Sequence, residues 1–221
     1  MMKPLGKLSC VAIILAAGPL HAQMKGTISA TVIDQTGQPL VGARVAMVPA
    51  DATGLMGALP ECLTDDRGVC SLNLRFGKYH VTAKKVAEGY PDLTIRFYGH
   101  GQWPATAEIT PEAPAASVTV DLGPKAASLV LHPVDDDSGD NIKHLTVTLH
   151  PANDPHEFIS SSLAGPNPTI LVPPDEDVLV TVSADGYQPW HLEEHSELSS
   201  RGVLNLHSRD KQEINARLKH Q

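Results

Sequence analysis

The same small β-rich unit is written twice along this chain, and that duplication narrows the possible folds more than any single residue does. The first copy runs over 26–45, resumes at 64–69 and 77–83, and closes at Gly89-Tyr90. The second opens at Ala127: residues 129–133 lead into an Asp/Gly turn at 135–140, residues 145–154 answer 43–51, and residues 178–187 answer 81–90. A repeat with a period of roughly one small domain implies tandem modules and not a solenoid.

Within each copy the period is two. Ile28, Ala30 and Val32 fall on one face of the first segment, and Thr27, Ser29 and Thr31 fall on the other. This is the pattern of a half-buried strand. Further strands are expected at 43–48, 69–76, 79–86, 93–98 and 116–122, with a short one before the turn at 65–68. The second copy offers 129–133, 145–151, 158–161, 169–172, 178–183, 203–206 and 214–218. No segment shows a long helical period, so the fold class is all-β: two tandem seven-stranded sandwiches. Aromatic residues make up only 4% of the chain, so the cores must be filled by Val, Leu, Ile and Ala, which pack well on a pleated surface. The segment 109–116 carries two prolines but precedes an alternating run, and reads as a loop inside the first domain. The boundary is therefore placed after Gly123, giving domains 23–123 and 124–221.

Residues 1–22 combine Lys3 and Lys7 with an apolar run and a small residue at Ala22, the layout of a secretory signal peptide. The run is too short for a confident membrane span, and removing it leaves roughly two hundred residues, enough for two sandwiches of about a hundred each. The formal net charge is −8 and grows more negative when Lys3 and Lys7 leave. Such a surface argues against nucleic acid, which demands a basic footprint. Cys10 departs with the signal. Cys62 and Cys70 remain, an even count in an exported chain, and the turn at 65–68 would bring them together across two antiparallel strands as a disulfide.

The residues that carry this pattern are Gly26, Ile28, Val32, Asp34, Gly37, Pro39-Leu40, Gly42-Ala43 and Val45, followed by Thr64 to Gly68, then Gly77-Lys78-Tyr79 and Gly89-Tyr90. Together they closely resemble the carboxypeptidase regulatory-like domain, a family with the transthyretin-like (prealbumin-like, Ig-like) sandwich. The resemblance covers 26–90, and its extension over 127–218 rests on the internal repeat. It implies non-catalytic accessory modules in exported bacterial proteins. Two departures stand out: Val69-Cys70 replaces the family's aromatic after Gly68, and the second copy has 135–141 where the first has its Pro-Leu-x-Gly-Ala turn.

Several constellations could carry chemistry. His191, Glu194 and His195 fit a His-x-x-Glu-His zinc-hydrolase arrangement, in which a helix would present both imidazoles on one face. Asp135, Asp137 and Asp140 cluster in a loop, as hard cations prefer, but lack the bidentate Glu of an EF-hand. The pair His150 and His156 could bind a transition metal weakly. Transthyretin-like enzymes are not matched: the chain ends Arg-Leu-Lys-His-Gln221 and not in the hydroxyisourate hydrolases' Tyr-Arg-Gly-Ser-like tail. Gln102 interrupts the His-x-His that an intradiol dioxygenase would need after Tyr90-Pro91 and His100. Ser160 to Ser162 read as a polar strand edge. Trp103 and Trp190 each follow the Gly-Tyr marker of their repeat, so Tyr90 with Trp103 and Tyr187 with Trp190 form a possible ligand platform, because an exposed indole can stack on a sugar.

The expected protein is thus a secreted or periplasmic, non-enzymatic binding module with no cofactor. It would engage an envelope protein through sheet edges and loops. A carbohydrate-binding module using Trp103 and Trp190 is the alternative, and a hydrolase using His191, Glu194 and His195 the third reading. Export should cut after Ala22, so the intact mass of exported protein should correspond to a chain beginning at Gln23. A mature species that retains Lys3 would contradict this.

Overall fold

Strand β1 (Lys25–Ile33) realises the alternation directly, with Ile28, Ala30 and Val32 fully buried and the residues between them part-exposed. The computed structural model describes residues 25–52, 58–95, 98, 102–154, 156–194 and 202–221, so the export segment lies outside the described residues. After β1 come β2 (Arg44–Pro49), β3 (Glu61–Leu63), β4 (Val69–Arg75), β5 (Gly77–Lys84), β6 (Ala105–Ile109) and β7 (Ala115–Asp121). The second copy supplies β8 (Ala127–Asp135), β9 (His144–Pro151), β10 (Ile159–Ala164), β11 (Thr169–Val172), β12 (Val178–Ser183), β13 (Trp190–His191) and β14 (Lys211–Leu218). The 3₁₀ turns that lie wholly within the described residues include Val86–Glu88 and Leu192–Glu194.

The two copies share one strand order. Sheets β4-β1-β7 and β3-β2-β5-β6 enclose the first core, and sheets β11-β8-β14 and β10-β9-β12-β13 enclose the second. Adding seven to each strand number converts one sandwich into the other, including the parallel pairing of first and last strands, β1 with β7 and β8 with β14. The cores are aliphatic. Val45, Met47, Val81 and Ile109 are fully buried in the first, and Leu129, Leu131, Val147 and Leu149 in the second. Each such side chain stabilises the fold by about 1.5 to 3 kcal/mol relative to exposure.

The sixth strand of each copy differs from expectation. Of the expected strand 93–98, the described residues 93–95 and 98 are not in a strand: Leu93 is buried in the first core, Asp92 makes an isolated bridge to Lys84, and the Tyr98 N–H bonds back to Ile95 O. The sixth strand is β6, whose inward Ala107 and Ile109 give too weak an apolar signal to stand out. Likewise 203–206 contributes only the bridge from Leu204 to Val178, and the sixth strand of the second copy is the two-residue β13.

The departures at the first turn preserve its frame. Asp34 Oδ1 accepts the backbone N–H groups of Thr36 (2.8 Å) and Gln38 (3.0 Å), and Asp135 Oδ1 accepts those of Asp137 (2.9 Å) and Ser138 (2.8 Å). Asp34 N–H donates to Gln38 and Asp135 N–H to Asp140, both at 2.9 Å, and Leu40 and Ile142 then drop into their respective cores. The second turn is simply one residue longer.

Cys62 and Cys70 are joined, with Cα atoms 6.1 Å apart. The expected placement across one antiparallel pair is corrected: β3 pairs with β2 and β4 with β1, so the bond links the two opposing sheets at the corner 64–68. Gly68 is required at that corner because φ is +72° and a Cβ would lie 2.8 Å from Pro39 Cβ. Thr64, 5% exposed, ties the corner to β2 by accepting the Ala43 N–H at 2.9 Å. The closed loop spans a sequence separation of 8, for which chain entropy gives about 2.5 kcal/mol. Reduction should lower the urea midpoint of unfolding by a corresponding amount and leave the native circular dichroism intact in buffer, whereas an unchanged midpoint would show the bond to be energetically idle.

Candidate binding cleft between the sandwiches

The connection from β5 to β6 carries the Gly89-Tyr90 marker and then crosses toward the second sandwich. Tyr90 is buried in the first core, with Lys125 Nζ 5.0 Å from its ring centroid. Asp92 stiffens the crossing by pairing with Lys84 Nζ at 2.9 Å and by accepting the Thr94 N–H at 3.0 Å. Tyr98 then packs against both cores and donates its hydroxyl to the Leu171 carbonyl at 2.9 Å, and burial pushes its pKa upward. On the other side the linker leaves β7 with the Leu122 N–H bonded to Ile33 O and the Ala126 N–H bonded to Gly89 O.

These segments enclose a cleft of about 410 Å³, within the range of small-ligand pockets. Prolines dominate its walls: Pro91, Pro104 and Pro124 from the first copy and the linker, Pro173 and Pro174 from the end of β11. Trp103 and Tyr98 add aromatic surface. The Trp103 indole is part-exposed and stacks on His80, with ring centroids 4.9 Å apart and planes 7° apart. Burial, with the nearby Lys78 charge, pushes the His80 imidazole below its ordinary value and so disfavours its charged form.

The four platform residues do not converge. Trp190 is 4% exposed and belongs to the second core, so it has no free face for a sugar and the platform alternative loses one of its two indoles. Tyr90 is equally internal. Tyr187 is part-exposed but stacks on His220 at 4.5 Å and donates its hydroxyl to Asp135 Oδ2 at 2.9 Å. Of the four, only Trp103 lines the cleft. The remaining lining had a sequence signal in the prolines that bracket each loop, and Tyr98 had none beyond its place in a misread strand.

The described metal candidates do not assemble into a three-ligand group. His191 lies on β13, 3.1 Å from Thr181 Oγ1, and the 3₁₀ turn that follows buries Leu192 and leaves Glu194 exposed. The helix that the zinc reading requires is thus not formed over 191–194, and His195 lies outside the described residues. His150 sits beside Phe158 at 5.6 Å, while the His156 N–H donates to Asp154 Oδ1. Asp135 is 5% exposed and its carboxylate is already occupied by Tyr187, His220 and two backbone N–H groups. Among the described residues no three His, Cys, Asp or Glu side chains are grouped to hold a metal ion, and no helix is long and apolar enough to cross a membrane.

No protein family and no curated protein matches the chain. Among solved structures, the Bacillus anthracis TIE protein aligns with 12% identity and a TM-score of 0.36, over 89% of this chain and 34% of its own. A streptococcal ancillary pilin gives 12% and 0.36, over 90% of this chain and 63% of its own. A DUF3823 family protein from Bacteroides uniformis ATCC 8492 gives 16% and 0.35, over 72% and 88%. The chain thus spans about a third of the first of these and under two thirds of the second. At such scores no property of these proteins is carried over.

Asp135 yields a pH test. The Ser138 N–H, the Tyr187 hydroxyl, the Asp137 N–H and His220 hold its carboxyl at about 2, below the unfolded value of about 3.9. The folded state therefore binds fewer protons, and the stabilisation is fully present above about pH 4 and lost as pH falls toward 2. The stability advantage of the wild type over Asp135→Asn, followed by urea unfolding, should shrink across that window. A difference that stays constant with pH would show that the carboxylate charge contributes nothing.

Proposed function

We propose that this chain is an exported, non-catalytic binding protein of the bacterial cell envelope, made of two modules of the carboxypeptidase regulatory-like type, and that it engages a protein partner. The observation that carries the reading is the cleft: loops of both sandwiches build it, and its walls are apolar and conformationally stiff. Proline fixes φ and so limits the entropy lost when a partner docks. Binding sites gather on loops held by a rigid scaffold, and sheet edges such as β10 supply further backbone groups for docking. Burial of Trp190 weighs against the glycan platform, since it removes one of the two indoles on which that platform depends. The strand setting of His191 weighs against the hydrolase.

A photo-crosslinking residue placed at Gln102, beside Trp103, and another at Ser160 on β10 test the reading in the native envelope. A discrete protein adduct is expected at Gln102, and Trp103→Ala should weaken it. Finding no protein adduct at either position, together with a glycan-array signal that Trp103→Ala removes, would replace the protein partner with a sugar.

A further inference from the structure

The cleft has few hydrogen-bond donors beyond the Gln102 carboxamide and the Trp103 indole N–H. Its five prolines have no backbone N–H. The Leu93, Tyr98 and Leu122 N–H groups are taken by Ala83 O, Ile95 O and Ile33 O, and the Gly123 N–H by Asp121 Oδ1 at 2.7 Å. The Tyr98 hydroxyl is donated to Leu171 O. Acceptors are better supplied, because every proline keeps its carbonyl and Asp121 is an exposed carboxylate with no cationic partner among the described residues. Asp121 also carries the only charge among the described lining residues.

A complementary occupant therefore brings donors and positive charge on an apolar stem. We propose, resting on the protein-partner reading above, that the cleft receives an arginine side chain of the partner polypeptide. Its aliphatic stem lies along the prolines, its guanidinium stacks on the Trp103 indole, and its N–H groups reach Asp121 and nearby carbonyls. Arginine suits this site better than lysine because its planar guanidinium both stacks on aromatic faces and forks onto a carboxylate. The acidic chain, with a formal net charge of −8, draws a basic segment toward it.

The test uses the purified protein and the Trp103 indole N–H resonance. The probes are N-acetyl-arginine amide, its citrulline, norleucine and glutamate counterparts, and spermidine. The arginine probe should give a saturable shift in the millimolar range. The citrulline probe, which keeps the stem without the charge, should bind at least tenfold more weakly, and the other three should give no saturable shift. Asp121→Asn keeps the oxygen that accepts the Gly123 N–H, so the fold is retained, and it should weaken the arginine probe at least tenfold. Equal binding of norleucine and arginine, tighter binding of spermidine or glutamate, or an unchanged affinity in Asp121→Asn would each overturn the assignment. Any of those results with the Gln102 adduct still present would remove arginine as the occupant and leave the protein-partner reading standing.

Discussion

Each sandwich is organised by one pairing, the parallel ladder between its first and last strands. In β1 and β7 it runs from Thr27 beside Ala115 to Ile33 beside Asp121, and in β8 and β14 from Ser128 beside Lys211 to Asp135 beside Leu218. A parallel partner cannot be reached by a hairpin, and here the connection between the paired strands is the rest of the sandwich. The ladder also determines where the chain leaves. It exits β7 next to the end of β1, where the Leu122 N–H meets Ile33 O, and goes straight on into β8. The second sandwich is thereby set against the loop that follows Gly89-Tyr90, and the cleft is the space between them.

The two copies keep this frame with different local means. The first turn is held by an aspartate in both, but the first copy adds the Thr64 hydroxyl and the disulfide at the next corner. The second copy adds instead the contact of Tyr187 with Asp135 and His220. A covalent link between sheets and a carboxylate network around the last residues thus support equivalent architectures, and only the second depends on protonation.

Period-two patterning made β1, β5, β9 and β12 legible, because each buries alternate, strongly apolar residues and has a glycine, proline or aspartate at one end or the other. It failed at β6 and β13, where Ala107 and a two-residue strand leave almost no periodic signal, while Leu93 and Leu204 looked like strand residues because they are apolar and buried. The Cys62 to Cys70 bond was legible from parity and spacing, but which sheets it joined was not, since a short turn can close a hairpin or turn a corner between sheets. At the site, the repeat marker singled out Trp103 and Trp190 alike. Only packing separated Trp103 at the cleft from Trp190 in the core, and the prolines that matter come from three connections far apart in sequence.

The parallel ladder also has a mechanical meaning. The entry of β1 and the exit of β7 lie at opposite ends of the same pair of neighbouring strands, and the same holds for β8 and β14. A pulling force transmitted along the chain would load the rungs of each ladder side by side, in shear, instead of peeling them apart one after another. With evenly spaced bonds in a parallel pair, the load is shared, so extension of either sandwich requires several rungs to give way together. Two such units in series would form a tether whose resistance is set by its terminal strands.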